Sequence, residues 1–147
     1  MSVRVDGDIM SDLQHSHTGG CLCGAVRYVV TGDMRDVVNC HCEQCRRTHG
    51  SFGAYSAAAR AQIQLRNAEG LSWYQSSAHV RRGFCHRCGA SLFWDADDRD
   101  YLAIAAGSLD APTGLKTVAH IYTASAGDYY SITDDLPRFD ETMRGKS

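Results

Sequence analysis

The chain has 147 residues, which is enough for one domain with a hydrophobic core and leaves little room for a second. Hydrophobic residues make up 44% of the chain, close to the average of globular proteins, and this composition excludes gross disorder. The net charge is −2, without a stripe of basic residues or an apolar run near the roughly 20 residues of a membrane span. We therefore predict a protein that binds neither nucleic acid nor membrane.

The first 17 residues are polar and are predicted to form a flexible leader, followed by a single domain over residues 18–147. The leader lacks the apolar middle of a signal peptide, so we expect a soluble, cytoplasmic protein. His15 and His17 alternate within it and can bind a stray metal ion, but a solvated tail is the simpler interpretation.

Short runs rich in β-branched and aromatic residues follow along the chain, separated by Gly, Asp and Ser. They predict strands at residues 25–30, 37–42, 52–56, 63–66, 71–74, 80–84, 91–94, 101–105 and 120–122. Only residues 43–50 and 57–61 are predicted to form helical turns. Strands at spacings of about 8–12 residues indicate a mainly β domain.

Seven cysteines are many for a cytoplasmic chain, and an odd number cannot pair fully into disulfides within one chain. They form three tight groups: Cys21 and Cys23; Cys40, Cys42 and Cys45; and Cys85 and Cys88. Cysteines buried only for packing would be scattered, so this grouping indicates metal ligation. Thiolates suit zinc, which prefers four tetrahedral ligands.

The spacing within each group predicts how the sulfurs are presented. Residues two apart in a strand share one face, so we expect Cys21 and Cys23 to face one metal, and likewise Cys40 and Cys42. Residues 85–89 read Cys-His-Arg-Cys-Gly, the form of a zinc knuckle. In such a turn backbone amides point at the sulfurs, and the glycine often takes a left-handed conformation.

Seven cysteines divide most simply into a closed site of four and an open site of three. If the middle group supplies three ligands by itself, the first and last groups together make a complete set. Four thiolates form a structural site, whereas three leave one coordination position for water or a substrate. Spacing alone does not decide which groups combine.

Three alternatives stay open. Either Cys-x-x-Cys pair can be a redox pair, although the βαβ surroundings typical of thioredoxin-like proteins are missing. An iron–sulfur cluster would need four similar ligands in one place. The seven cysteines can also build only a zinc scaffold, with His41 or His49 completing the second site. His86, inside the knuckle, is predicted to lie on the surface.

These motifs resemble those of the glutathione-dependent formaldehyde-activating enzyme family, also called the centromere protein V/formaldehyde-activating family. The resemblance extends from about Gly19 to Glu141. It rests on the three cysteine motifs with their flanking residues, at residues 20–28, 40–47 and 82–92. Gly50-Ser51 and two later segments, at residues 106–110 and 136–139, add to it.

The resemblance implies a β-tent fold, in which small antiparallel sheets lean together over a zinc site. It also implies two zinc ions, one structural and one catalytic. The structural set would be Cys21, Cys23, Cys85 and Cys88, and the catalytic set Cys40, Cys42 and Cys45. The implied activity joins glutathione and formaldehyde to S-hydroxymethylglutathione, and it is classed as a carbon–sulfur lyase because the reverse step cleaves that bond.

We therefore expect a zinc-dependent lyase that acts on a small thiol, such as glutathione, and a small aldehyde. A thiol in the open position loses its proton to the metal and becomes a nucleophile for a carbonyl carbon. Arg46 and Arg47 follow the last ligand and are expected to offset negative charge or hold a substrate carboxylate, with solvated surface side chains as the alternative. The rival function is a non-catalytic zinc module that binds thiols or a protein partner, and a homodimer is left open.

Overall fold

The computed structural model describes residues 16–143 and is mainly β, with short helical turns between the strands. The strands are β1 (Ser16–Gly20), β2 (Arg27–Thr31), β3 (Arg35–Cys40), β4 (Gly53–Ala59), β5 (Ile63–Asn67), β6 (Leu71–Gln75), β7 (Val80–Cys85), β8 (Ser91–Ala96), β9 (Tyr101–Ala105) and β10 (Thr117–Ile121). The α-helix α1 (Glu43–His49) follows β3. Short 3₁₀ turns lie at Arg60–Gln62, Ala106–Ser108 and Thr123–Ser125. The predicted fold class, mainly β with few helical turns, is confirmed.

The strands form two sheets, a small one in the order β1-β2-β5 and a larger one in the order β10-β3-β4-β9-β8-β7-β6. Neighbouring strands are antiparallel except for β10, which pairs with β3 in parallel. Each of the nine predicted strands overlaps a strand of the structure. No strand is predicted at β1, because Ser16–Gly20 contains no Val, Ile, Phe, Tyr or Trp. Pairing with β2 along its whole length makes it a strand.

The strand β1 begins at Ser16, two residues before the point at which we expect the domain to start. The rest of the expected leader, including His15, lies outside the described residues. Between residues 16 and 143, no helix is both long and apolar enough to cross a membrane.

The predicted helical turn at residues 57–61 is wrong in its first half. Ala57 and Ala58 lie inside β4, where Ala57 pairs with Arg35 on one side and Ala103 on the other. The helical turn begins only at Arg60. Alanine has a high helix propensity, but pairing on both sides of a central strand outweighs it.

The larger sheet is covered on both faces around β9. Ile104 points to one face and packs in a core with Val26, Tyr28 and Val30, from β2 and the residue before it. Ala103, on the opposite face, packs with residues of α1 and β4 and with the middle group of cysteines. The central strands therefore separate the small sheet from the region that contains α1.

Candidate metal centres

Four cysteines from two separate hairpin turns meet at one point. Cys21 and Cys23 lie in the loop between β1 and β2, Cys85 ends β7, and Cys88 lies in the turn between β7 and β8. Their four Sγ atoms all lie within 4.8 Å of one another. This four-cysteine cluster therefore joins the small sheet to the larger one.

The sulfur–sulfur distances in the four-cysteine cluster fit a tetrahedral zinc ion. Sulfurs bound at about 2.3 Å from such an ion lie about 3.8 Å apart, whereas a disulfide bond is about 2.05 Å long. Cys21 Sγ lies 3.7 Å from Cys23 Sγ, which lies 3.8 Å from Cys85 Sγ. All four side chains are free thiols, so the cluster can hold a metal ion.

Backbone amides support these sulfurs. The amide of Val26 donates to Cys21 Sγ at 3.2 Å. The amide of Ala90 is the largest of the effects that lower the pKa of the Cys88 thiol to about 6. Gly89 has φ +79°, as predicted for the residue after the knuckle. The turn thus presents N–H groups that favour thiolates, the form that binds metal.

The strand-face argument for the first pair is wrong, because Cys21 and Cys23 lie in a bend and not in a strand. It is also wrong for the middle group, because β3 ends at Cys40 and Cys42 is the N-cap of α1. In both places a change of chain direction, and not strand periodicity, brings the sulfurs together.

The three-cysteine cluster is formed where β3 passes into α1. Cys40 ends β3, Cys42 caps the helix and Cys45 lies in its first turn. Their Sγ atoms lie within 4.8 Å of one another, and residues 16–143 offer no fourth His, Cys, Asp or Glu atom within that group. The amide of Cys45 donates to Cys42 Sγ at 3.4 Å. The structure thus brings the seven cysteines together in groups of four and three.

The three thiols interact strongly with one another. Hydrogen bonds, first from Cys40 and then from Cys45, lower the pKa of the Cys42 thiol far below its usual range. The same contacts with Cys42 and Cys45 raise the pKa of Cys40. The cluster therefore favours at least one thiolate, and three soft sulfurs so close together fit a zinc ion.

Arg82, on β7, provides positive charge next to the three-cysteine cluster. Its Nη2 donates to Cys45 Sγ at 3.7 Å and to Gln44 Oε1 at 3.5 Å. Only 8% of the residue is exposed, and its Nε and Nη1 atoms find no hydrogen-bond partner among the described residues. A buried guanidinium with free donors is stabilised by neighbouring negative charge. Arg82 can therefore balance the charge of the thiolates.

We predicted this task for Arg46 and Arg47, the two arginines of α1, with solvated surface side chains as the alternative. Arg47 instead lies at the surface, where its Nε donates to Glu43 Oε1 at 3.1 Å. Arg46 packs against Gly127, and its Nε is buried without a hydrogen-bond partner in the described part of the chain. The contribution of Arg82 was missed because it comes from a strand 37 residues away along the chain.

The histidines considered as ligands have other partners. His41 is fully buried, and its Nδ1 and Nε2 atoms lie 2.6 Å from Tyr130 Oη and 2.9 Å from His120 Nδ1. His49 Nε2 lies 2.8 Å from Tyr55 Oη. His86 is exposed, as expected, with its Nε2 at 3.2 Å from the Glu69 carbonyl. Among residues 16–143, no histidine atom joins either cysteine cluster.

Aromatic residues beside the three-cysteine cluster were also missed. Tyr122 has φ +54°, a left-handed conformation that is strained for a residue other than glycine. Burial, followed by the charges of Cys40 and Cys42, raises the pKa of the Tyr122 phenol. Such strain often marks functional sites. No sequence signal marks this conformation.

A cleft of about 620 Å³ lies beside the four-cysteine cluster. Its lining includes Cys21, Arg27 and Asp110 together with Thr48 and His49 of α1. Cys40, Cys42 and Cys45 do not line this cleft. The volume of the cleft is therefore not sufficient evidence that it is an active site.

Three comparisons relate the chain to known proteins. Residues 16–125 match the sequence model of the family described as "Glutathione-dependent formaldehyde-activating enzyme". An uncharacterized lyase of Schizosaccharomyces pombe (strain 972 / ATCC 24843) is 32% identical over 79 residues, which are 53% of this chain and 56% of that protein. The chain thus matches only about half of that relative's length.

A crystal structure of a Rhodobacter sphaeroides protein has a similar fold, with a TM-score of 0.56 and 23% identity. The match covers 68% of this chain and 97% of that one. The family match spans most of the chain and includes both cysteine clusters. The chain belongs to the glutathione-dependent formaldehyde-activating enzyme family.

Proposed function

We propose that this protein is a zinc-dependent carbon–sulfur lyase that forms or cleaves an adduct between a small thiol and a small aldehyde. One observation carries the proposal: three cysteine sulfurs lie within 4.8 Å of one another, and the described residues provide no fourth ligand. Zinc sites with three protein ligands keep a position for substrate, whereas structural sites are closed. The family description supports glutathione as the thiol and formaldehyde as the aldehyde.

We assign a structural zinc to the four-cysteine cluster. Its four sulfurs complete a tetrahedral ligand set, and they come from two separate hairpins; Cys23 and Cys85, for example, are 62 residues apart along the chain. Metal binding there would hold the two sheets together, so its free energy would contribute directly to folding. We assign the catalytic zinc to Cys40, Cys42 and Cys45.

A zinc ion at the three-cysteine cluster would supply an open position where an incoming thiol is bound as the thiolate. The chain's own residues fix the geometry around that position. The Cys45 amide orients Cys42, and Arg82 holds Cys45 by its Nη2 while offsetting negative charge. Without such a cation, a fourth thiolate would add charge to a partly buried site at a high electrostatic cost.

The reaction itself needs few changes in bonding. The sulfur lone pair forms the carbon–sulfur bond, the carbonyl π electrons move to oxygen, and that oxygen takes up a proton. The reverse reaction cleaves the carbon–sulfur bond. All seven cysteines are free thiols, which fits a reducing compartment such as the cytoplasm.

Glutathione titration of the cobalt-substituted protein tests this function. Thiol binding at the open position should change the thiolate-to-metal absorption of wild-type protein, and the change should be absent in Cys42→Ser. Cysteine should be titrated in parallel, because the three-cysteine cluster itself does not select a tripeptide. If neither thiol changes the spectrum, thiol activation is refuted and a non-catalytic zinc module becomes the better explanation.

A further inference from the structure

The outer edges of the two sheets differ in how far other parts of the chain cover them. At β1 the edge is covered by residues 109–110, and the Asp110 amide donates to the Thr18 carbonyl at 2.9 Å. At β10 it is covered by residues 137–141, and the His120 amide donates to the Pro137 carbonyl at 2.9 Å. The other two edges are β5 and β6, and no strand within residues 16–143 pairs with their outer sides.

The strand β5 has features by which natural sheets protect an open edge. A register shift interrupts its pairing with β2 between Arg27 and Tyr28. Its Arg66 is exposed and carries a charge. Bulges and charged side chains hinder the approach of another strand. The edge at β5 is therefore protected against pairing.

The strand β6 has none of these features. It lies within residues 70–78, nine consecutive residues that include no charged residue and no proline. Its register with β7 is unbroken. Its Tyr74 is 64% exposed. A regular, uncharged and uncovered edge strand is a template for pairing with another chain.

Hydrogen bonding to β7 determines which backbone groups of β6 point outward. The Ser76 amide donates to the Val80 carbonyl at 3.0 Å, so these two residues form a hydrogen-bonded pair. Such pairs alternate with non-hydrogen-bonded pairs along an antiparallel ladder. Tyr74 therefore bonds to β7, whereas Trp73 and Gln75 direct their amide and carbonyl groups away from it.

The side chain of Trp73, at the centre of β6, is fixed from the β7 side. The Arg81 guanidinium carbon lies 3.8 Å from the centroid of its ring, and the ring stacks on Phe93 with centroids 6.0 Å apart. Gly83, opposite Trp73 in the ladder, leaves room for the ring, because a Cβ there would lie 3.0 Å from Trp73 Cζ3. A side chain that is already ordered loses little conformational entropy on association.

Apolar surface continues from Trp73 toward β5. A groove of about 170 Å³ lies there, and its lining is apolar except for one arginine: Arg60, Ile63, Leu65, Trp73, Phe93 and Leu102. Leu65 is 46% exposed. A strand bound next to β6 would therefore also remove apolar surface from water.

The residue pattern of β6 is complementary to itself. When two β6 strands run antiparallel about a two-fold axis at Trp73, the two Trp73 residues face each other. Leu71 then faces Gln75 of the second copy, and Ser72 faces Tyr74 of the second copy. Trp73 is the central residue of β6, so this register gives the longest overlap of the two strands.

Backbone groups and charges both fit this register. The outward amide of Trp73 meets the carbonyl of Trp73 in the second copy, and the amide of Gln75 meets the carbonyl of Leu71. No like charges meet, because residues 70–78 contain no charged residue. A contact of this kind uses the same surface on both copies and closes after two of them.

We propose that β6 is the contact surface for a second copy of this chain, and that the two β6 strands pair antiparallel about Trp73 to join the larger sheets of both copies. The contact uses no cysteine and no metal ligand. The proposal is therefore independent of the proposed function.

Sedimentation of the zinc-loaded full chain over micromolar concentrations tests the contact through its backbone. We expect wild type to be a dimer. Gln75→Pro removes an outward amide, whereas Gln75→Ala keeps that amide and loses the same side-chain bond to the Ser77 carbonyl. Because the change occurs in both copies, Gln75→Pro should raise the dimer Kd by about 100-fold. Gln75→Ala should keep the dimer Kd close to that of wild type.

Two lysine variants compare the open edges. In Tyr74→Lys, the two added charges would lie on one face of the joined sheet, within a Debye length of each other. The dimer Kd should rise by at least about tenfold, because a lysine on an edge strand opposes pairing. Gln64→Lys adds the same charge on β5, where Gln64 is exposed, and should leave the Kd unchanged.

Amide hydrogen exchange measured by NMR gives a readout for single residues. The amides of Trp73 and Gln75 have no partner within residues 16–143, so protection from exchange must come from another chain or segment. We expect both amides to be protected in wild type, with protection that falls on dilution. In Tyr74→Lys both should exchange rapidly.

Several results would overturn the proposal. A wild-type protein that is monomeric at every concentration would do so, and protected Trp73 and Gln75 amides in that monomer would show that a segment of the same chain covers the edge. A dimer that persists in Gln75→Pro and Tyr74→Lys, or that Gln64→Lys disrupts, would place the contact elsewhere. If circular dichroism shows that Gln75→Pro is unfolded, the two lysine variants still decide.

Discussion

The four-cysteine cluster draws its sulfurs from two hairpins of different sheets, whereas the three-cysteine cluster takes all of its sulfurs from six consecutive residues. The first set closes a long loop of chain, so whatever it binds also holds the sheets together. The second set lies at the junction of β3 and α1, elements that are already positioned by pairing and packing. A local ligand set can therefore leave a coordination position open without endangering the fold.

The two clusters also differ in the groups that lie next to their sulfurs. Backbone amides and a left-handed glycine support the four-cysteine cluster. Two buried polar side chains lie beside the three-cysteine cluster: Arg82, from β7, supplies positive charge, and His41, between two of the cysteines, is hydrogen-bonded to His120 of β10. Side chains that are costly to bury are expected where chemistry needs them.

The largest effect should follow from opening the four-cysteine cluster. We expect Cys88→Ser to be insoluble or unfolded, because a structural zinc contributes on the order of 10 kcal/mol, comparable to the whole stability of a small domain. Circular dichroism and thermal melting of the purified variant measure this effect. A soluble Cys88→Ser protein with a cooperative melt at the wild-type temperature would show that this cluster is not structural.

Removal of a ligand from the three-cysteine cluster should have a smaller effect on the fold. Cys42→Ser should keep its melting cooperative and lose about one equivalent of zinc, because a ligand is removed from a site on which the sheets do not depend. Metal analysis together with calorimetry gives both quantities. Equal destabilisation by Cys42→Ser and Cys88→Ser would show that the two clusters contribute equally to the stability of the fold.

Loss of the buried charge should weaken metal binding without abolishing it. We expect Arg82→Gln to lower zinc affinity at the three-cysteine cluster by about tenfold, in the range typical for groups that contact metal ligands. Competition with a chromophoric chelator measures the affinity. Arg47→Gln is the matched control, because this arginine pairs with Glu43 at the surface and should leave the affinity unchanged. Equal affinities for Arg82→Gln and wild type would show that the guanidinium does not balance the thiolates.

The grouping of the cysteines along the chain suggested a division into four and three, and the family resemblance implied which groups combine, although the reasoning from strand faces was wrong. Groups such as Cys40, Cys42 and Cys45 are visible in sequence because their ligands are close neighbours along the chain. Arg82 and His120 were not identified, because their contacts depend on how β7 and β10 pack against distant residues. A single arginine or histidine in a strand carries no local signal of such a partner.

The strands were predictable where β-branched and aromatic residues recur. They were not predictable where only pairing with neighbouring strands determines the conformation. Thus β1 contains no Val, Ile, Phe, Tyr or Trp, and the alanines of β4 suggest a helical turn instead of a central strand. In both segments, hydrogen bonding to neighbouring strands determines the conformation.

Stepwise removal of zinc from the native protein is the most direct test of two metal sites with different roles. Native mass spectrometry should find two zinc ions per chain. A weak chelator should remove one of them with no change in the circular dichroism spectrum, and only a strong chelator should remove the second, with unfolding. A single zinc per chain, or two that leave together as the protein unfolds, would contradict the assignment of one structural and one open site.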